Sequence, residues 1–369
     1  MRIIYGVSGE GSGHSSRAKQ MARHLIAAGH ELVFVSYNRG YDALHSSFPC
    51  HEIEGLRIVS IDNRVSILRT LIGNLLKLPA FYRSLKSLRQ VFDDFKPELV
   101  ISDFEPMTAR LAGRRRLPLI SLDNQHRMRF MEYTSPSHLR VDRWVTELVI
   151  RLLVPNPDVC LATTFLIGPV KNDRTFLFPP ILREEVGNIT PSEGEHLLVY
   201  VTNQYDTLIA SLHALSDERF IVYGYHKDEQ SGNVQFKQFS TLGFLEDVAS
   251  ARAIIATAGF TLMSEAMYLQ KPYLAFPMRG QFEQQLNAFC LEELGFGESA
   301  QNADPETLRK FLNHLPRYRD ALSRYDNAYS NKPLALENTE ICAKLDELLA
   351  DNAQLLRQYQ QRRIANTSV

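Results

Sequence analysis

"RIIYGVSGEGSGHSSRAKQMARHLIAAGHELVFVSY", residues 2–37, decides the fold class. Its opening run, RIIYGVS, reads as a short buried strand. Small and turn-prone residues (Ser8, Gly9, Gly11, Gly13) then crowd together, and His14 ends the crowd. From Ser15 onward, Ala18, Met21, Ala22, Leu25 and Ile26 recur at helical spacing. Gly29 closes that helix, and ELVFVSY (31–37) is a second strand. Strand, glycine loop, helix and strand make one βαβ unit, which implies a parallel sheet with a right-handed crossover. The spacing Gly9-x-Gly11-x-Gly13 is not the dinucleotide fingerprint, which needs G-x-G-x-x-G and an acidic residue closing the second strand. Here that strand ends in Ser36, Tyr37 and Asn38. The absence of Gly-Lys-Ser/Thr excludes a P-loop. A tight turn that lets the helix pack close to the sheet accounts for the glycines alone. The histidine at the loop mouth adds a chemical reading.

The alternation continues outward. Strand patterns recur at 56–62, 98–103, 118–124 and 159–164, mostly separated by helical patterns, so the class is α/β. Residues 179–194, PPILREEVGNITPSEG, break the apolar pattern and read as a linker. Strands then restart at 196–203, 219–225, 234–239, 252–259 and 272–277, and a helical tail rich in Gln, Arg and Leu follows at about 333–363. The expected units are residues 1–180, 195–330 and a helical segment 331–369. A length of 369 residues suits two parallel-sheet domains. Two such domains, each offering the carboxyl edge of its strands, define a cleft. The net charge of -1 gives no global pull toward nucleic acid or an anionic membrane. The four cysteines lack metal or CxxC spacing, which fits a reducing cytoplasm. The N-terminus enters a strand directly, so no signal peptide is expected. No apolar stretch reaches the ~18 residues of a membrane span.

The most informative motif lies in the second half: "TAGFTLMSEAMYLQKPYLAFPMRGQFEQQLNAFCLEELG", residues 257–295. A strand runs into a Gly259 loop, and a helix opening at about Thr261 is expected to carry Ser264 and Glu265 in its first turn. Backbone N–H groups at a helix N-terminus attract phosphate. A carboxylate there suits ribose hydroxyls, or merely complements the helix dipole. The stretch resembles the donor site of inverting GT-B-fold glycosyltransferases, including the enzyme that adds N-acetylglucosamine to lipid I and the UDP-sugar transferases. Over nearly the whole chain the pairing of a GxGxGHxxR-like start with GGFTLxSEAxxLxKPxLxxPxxGQxEQxxNA is similar to uncharacterised bacterial and archaeal members. Ala258 departs from the pattern, where many members have a second Gly.

The resemblance implies two Rossmann-like domains facing a cleft, C-terminal helices, and roles position by position. Gly259, Phe260 and Thr261 would sit against the donor diphosphate, with Ser264 beside them, and Glu265 would hold the ribose. Glu283 and Gln284 would contact the donor sugar. Phe244 and Leu245, in LGFLEDVASARA (242–253), would border the nucleobase through backbone groups. Thr202 and Asn203 would close the floor near the phosphates. His14 would be the general base for an acceptor hydroxyl, oriented by Asp103 at the end of ELVISD. Such a base typically supplies ~10²–10⁴-fold. Asp103 also reads as a helix N-cap, Glu10 and Glu105 are rival carboxylates, and His126 is a second-choice base. No metal or resident cofactor is expected; the co-substrate would be a nucleoside-diphosphate sugar, UDP-linked first, and Arg279 is a candidate charge partner for it.

Residues 64–92 hold six basic residues and no acid. Leu68, Leu71, Ile72, Leu75 and Leu76 fall on one helical face; Pro79 interrupts; Phe81, Leu85, Leu88 and Phe92 resume the stripe opposite Arg83, Lys86 and Arg89. Such a segment reads either as core-facing helices with a basic rim or as a weak anchor on the anionic inner face of a membrane. The second reading suits a glycolipid or polyprenyl-linked acceptor. A nucleotide-sugar 2-epimerase and a non-catalytic nucleotide-sugar binder stay open as alternatives to transfer.

Overall fold

The computed structural model describes residues 1–57, 60–61, 64–65, 67–201, 206–324 and 338–367. The first half runs β1 (Arg2–Val7), α1 (Ser12–Ala27), β2 (Glu31–Ser36), α2 (Asn38–Leu44), β3 (Cys50–Glu52), β4 (Ser60–Ile61), β5 (Arg64–Val65), α3 (Ile67–Leu76), α4 (Leu78–Phe95), β6 (Leu99–Asp103), α5 (Pro106–Arg115), β7 (Leu119–Asp123), α6 (Arg127–Phe130), α7 (Arg140–Leu153), β8 (Val159–Thr163) and β9 (Thr175–Phe178). The second half runs α8 (Glu184–Gly187), β10 (His196–Tyr200), α9 (Asp206–Ala214), β11 (Arg219–Tyr223), β12 (Glu229–Ser231), β13 (Val234–Phe236), α10 (Thr241–Ser250), β14 (Ile254–Ala256), α11 (Phe260–Tyr268), β15 (Tyr273–Ala275), α12 (Phe282–Leu294), β16 (Gly297–Ser299), α13 (Pro305–Asn313), α14 (Leu315–Ser323) and α15 (Thr339–Thr367), the last interrupted at Ala350–Ala353.

Two seven-stranded sheets result, ordered β3-β2-β1-β6-β7-β8-β9 and β12-β13-β11-β10-β14-β15-β16. The first is parallel throughout, and the second is parallel except for β12 against β13. Their central strands are buried on both faces, as near-continuous apolar runs such as LVISD and IIA require. In each sheet the chain moves outward from a central strand and then returns to that strand's other side. The order therefore reverses between β1 and β6 and again between β10 and β14. Ligands of open α/β sheets bind outside the strand carboxyl ends at such switch points. The strand ends and helix starts there carry His14 and Asp103 in one domain and Gly259 in the other.

Three expectations shift. Within the run 56–62, the described pair Ser60–Ile61 pairs antiparallel with Arg64–Val65 in a separate two-stranded sheet rather than with the large one. The linker holds α8 and buries Ile181, Leu182 and Val186, so it is packed rather than loose. The helical tail completes the first domain, because Ile341, Leu345, Leu348, Leu349 and Leu356 lie in one core cluster with Ile3, Tyr5, Leu99 and Ile101.

The basic segment divides. Leu88 and Phe92 of α4 are buried beside Val100 and Ala109, so this half of the expected membrane stripe is core. Leu75, Leu76, Leu78 and Tyr82 are exposed where α3 meets α4, while the side chains of Leu68 and Leu71 lie outside those described.

Candidate functional site

The loop after β1 is shaped by close approaches. Gly11, the N-cap of α1, has φ 87°, a conformation that favours glycine. A Cβ on Gly13 would lie 2.5 Å from Thr261 Oγ1 of the opposite domain. The N-termini of α1 and α11 therefore meet across the cleft. Neither has a side-chain cap. The first N–H groups of each helix have no intrahelical carbonyl to bond, and both positive dipole ends converge on one place.

His14 stands in the first turn of α1. Its Nδ1 lies 2.7 Å from Asp103 Oδ1, and Asp103 is fully buried at the end of β6. The expected dyad is thus assembled by the β1/β6 switch point. Asp103 accepts from Nδ1–H and so leaves the lone pair on Nε2, the state a base needs. Sequence reading missed a third member. Arg17, one turn along the same face, donates to Asp103 through Nε (2.7 Å to Oδ2) and Nη2 (2.6 Å to Oδ1). Its Nη2 also lies 3.1 Å from His14 Nδ1. Burial opposes the charge on Arg17, and the attraction of Asp103 outweighs it, raising its pKa. The signal was present as the i+3 spacing of His14 and Arg17 in the motif.

Glu105, not Asp103, caps α5, accepting from the amides of Met107 (2.8 Å) and Thr108 (2.7 Å). Burial raises its pKa against those bonds. Glu10 sits in the loop, its amide donating to Ser8 Oγ at 3.4 Å. His126 is fully buried, with Nδ1 2.7 Å from Asp123 Oδ2 and 2.9 Å from Ser121 Oγ, so it has no route to an acceptor. Burial works against charge on Asp123, but His126 and the bonds from His126 and Ser121 hold its pKa down at about 2.

In the second domain α11 starts at Phe260, and its first backbone bond runs from the Met263 amide to Gly259 O at 3.1 Å. Gly259, Phe260 and Thr261 thus form an uncapped helix start, one residue earlier than the expected opening at about Thr261. Ser264 and Glu265 lie in the second turn, not the first. Ser264 Oγ donates to Phe260 O at 2.7 Å, which commits it to its own helix. Glu265 is buried and gripped by Arg183 of the linker, with Nε 2.6 Å from Oε1 and Nη2 2.8 Å from Oε2. Burial pushes the Glu265 carboxyl up despite Arg183. Each oxygen keeps a second lone pair for another donor.

Glu283, in the first turn of α12, faces the first domain: Asn124 Nδ2 donates to it at 2.7 Å and Gln125 Nε2 at 3.2 Å. Arg17 Nη1 donates to Asn124 Oδ1 at 3.2 Å. One chain of bonds therefore joins His14, Asp103, Arg17, Asn124 and Glu283 across the cleft. Gln284 Oε1 accepts from the Met278 amide at 2.9 Å. Phe244 and Leu245 are a correction. They lie in a helix, not a loop, and the Phe244 amide is spent on Ser240 O at 2.9 Å. Their side chains are buried, the Phe244 ring among Tyr200, Tyr223 and Phe239. Thr202 and Asn203 lie outside the described residues. Arg279 is exposed and bonds Gln301 at 3.1 Å, away from the site.

A different arginine, Arg127 of α6, lies close to the α11 start. It is fully buried at the domain boundary, with its guanidinium carbon 5.3 Å from the Phe260 ring centroid and 5.8 Å from that of Phe165. Its Nη2 donates to Asn287 Oδ1 at 2.5 Å, and Asn287 Nδ2 donates to Ala258 O at 2.8 Å, one residue before the Gly259 cap. Its Nε has no partner, and no carboxylate pairs with it among the described residues. Those residues hold no cluster of three or more His, Cys, Asp or Glu that could bind a metal.

Two parallel-sheet domains whose switch points face each other across a cleft define the GT-B class of glycosyltransferases. Residues 1–316 match the profile of Glycosyl transferase family 1, and the chain belongs to that family. It is 25% identical over 357 residues to an uncharacterised glycosyltransferase of Methanosarcina mazei, covering 87% of this chain and 92% of that one. The calicheamicin glycosyltransferase CalG4 superposes with a TM-score of 0.67 at 16% identity, over 96% of this chain and 99% of that chain. The spinosyn rhamnosyltransferase SpnG, solved with thymidine diphosphate, superposes at 0.61 and 14% identity, over 92% and 100%. At these identities the structural likeness carries the fold. The likeness to the lipid I enzyme rests on the sequence motif alone.

Proposed function

We propose that this glycosyltransferase moves a sugar from a nucleoside-diphosphate sugar, UDP-linked first, to an acceptor hydroxyl with inversion, and that His14 is the general base. The observation that carries this reading is the His14–Asp103 pair beside two uncapped helix N-termini. In the first domain Nε2 of His14 takes the proton of the attacking hydroxyl. In the second, the amides at Gly259, Phe260 and Thr261 hold the diphosphate as negative charge develops on it. Arg127 adds fixed positive charge behind that helix start. Glu265, held in place by Arg183, takes the ribose hydroxyls on its remaining lone pairs. Glu283 and Gln284 face the sugar, and Thr202 and Asn203 close the phosphate floor. With their amides inside α10, Phe244 and Leu245 are left to the core.

His14→Ala tests the reading with a panel of UDP- and TDP-sugars, product mass, and the anomeric configuration by NMR. Turnover falls ~10²–10⁴-fold while the melting temperature stays near that of the wild type. Near-normal turnover removes His14 as base; retained configuration removes inversion; product formed without transfer, as an epimerised donor, removes the acceptor.

A further inference from the structure

We propose that the outer face of α7 docks this protein on an anionic lipid bilayer. Val141, Trp144, Val145, Leu148, Val149 and Leu152 follow the spacing of one helical stripe. That stripe points outward: these side chains are 39–71% exposed, whereas Ile150 on the opposite face is 1% exposed. A stripe this regular normally faces a core, so its outward position calls for an apolar medium outside the protein. Trp144 near its middle is the only tryptophan of the chain, a residue type that favours the membrane–water interface.

The charges choose the occupant. Arg140 opens the helix and Arg151 lies near its end, both exposed and neither in an ion pair among the described residues. Arg110 of α5 donates to Leu152 O and adds a third cation beside the C-terminal end. On the flank Arg143 and Glu147 neutralise each other at 2.9 Å, which leaves Asp142 against those cations. A second copy packed antiparallel along α7 would set Arg140 against Arg151, and a parallel copy would set like against like. Anionic headgroups meet the cations at both ends instead.

The face also adjoins the cleft. Tyr133, just before α7, meets the ring of Phe282 at 6.4 Å, next to Glu283, and Arg143 covers Tyr133 at 4.3 Å. A bilayer held on α7 thus brings its surface to the cleft mouth, where an acceptor hydroxyl carried by a glycolipid would enter. That last step rests on the transfer reading; the docking does not.

The sole tryptophan reports the contact. The full chain is mixed at low salt with vesicles of phosphatidylglycerol and phosphatidylcholine, with vesicles of phosphatidylcholine alone, and with no lipid, in the absence of donor. Trp144 emission shifts to the blue with the anionic vesicles, is quenched by brominated acyl chains, and the protein sediments with them. Added salt and the pair Arg140→Gln with Arg151→Gln weaken binding several-fold. Leu148→Glu abolishes it, with circular dichroism unchanged because that side chain lies outside the core. Emission and sedimentation unaffected by anionic vesicles would overturn the proposal. So would a lipid-independent dimer in sedimentation velocity that Leu148→Glu dissolves. Failure of His14→Ala to affect turnover would sink the transfer reading and leave vesicle binding untouched.

Discussion

Asp103→Ala separates the two tasks of the buried carboxylate. Asp103 has no exposed surface, and its partner Arg17 is 5% exposed. Two bonds of 2.6 and 2.7 Å join them, and His14 takes one oxygen at 2.7 Å. With the carboxylate gone, Arg17 keeps only neutral partners, Asn124 Oδ1 at 3.2 Å and His14 Nδ1 at 3.1 Å. Breaking a buried pair by removing one partner costs about 3–5 kcal/mol, because an uncompensated charge stays inside. At ~2–4 °C per kcal/mol the melting temperature falls by roughly 6–20 °C. The double variant Arg17→Met with Asp103→Leu removes both charges, recovers most of that loss and has no turnover. Asp103→Asn gives the complementary result. Its amide oxygen still serves Arg17, but its NH₂ then faces His14 Nδ1 and moves the ring proton to Nε2. Turnover falls by ~10²-fold or more, with a smaller loss of stability than in the alanine variant. Thermal melts by circular dichroism and donor turnover read the two effects apart. An alanine variant that melts within a degree or two of wild type would refute the buried pair, and an asparagine variant with normal turnover would refute the tautomer argument.

Arg127→Met removes a buried charge that no carboxylate among the described residues balances and whose Nε has no partner. It leaves the melting temperature unchanged or raised, while affinity for a nucleoside diphosphate falls ~10-fold or more by calorimetry and affinity for the bare nucleoside holds. A large drop in melting temperature with unaltered diphosphate binding would make Arg127 a purely structural residue. Glu265→Gln keeps the shape beside Arg183 but loses a charge-assisted bond, so nucleotide binding weakens by ~1.5–3 kcal/mol; equal affinity in a folded variant would take the ribose away from Glu265. The Asp123 pKa is depressed from 3.8 to about 2, so its contribution is complete above pH ~4 and lost as pH falls toward ~2. Urea unfolding should show about 2 kcal/mol of stability disappearing in that window, and Asp123→Asn should flatten the slope; an unchanged slope would contradict the assignment.

Where the sequence was legible, one element carried the whole signal. The βαβ reading of residues 2–37 needed only local periodicity, and the structure returns β1, α1 and β2 there. A helix start close after Gly259 followed from that glycine standing between an apolar strand and a helical pattern. The α7 stripe was equally periodic, but periodicity gives the existence of an apolar face, not the side on which the core lies. The same gap explains α4: Leu88 and Phe92 face inward, which their spacing left open between core and membrane.

The remaining features are bonds between elements distant in the chain. Arg183 and Glu265 are 82 residues apart, Asn124 and Glu283 are 159 apart, and Arg127 and Asn287 are 160 apart. No spacing rule for helix or strand reaches that far; only the packing of the two domains and the linker brings these residues together. The consequence bears on function. Arg17 binds both the carboxylate beside His14 and the amide that reaches Glu283, so the proposed base and the proposed sugar-facing acid share one chain of bonds. A displacement of the second domain that breaks Asn124–Glu283 therefore releases one end of the Arg17 network. In the proposed transfer, the orientation of His14 would then depend on the position of the second domain as well as on its own helix. As the proposed base, His14 would be fully supported only with the second domain in place, which would tie proton removal to the presence of the group that the proton's oxygen attacks.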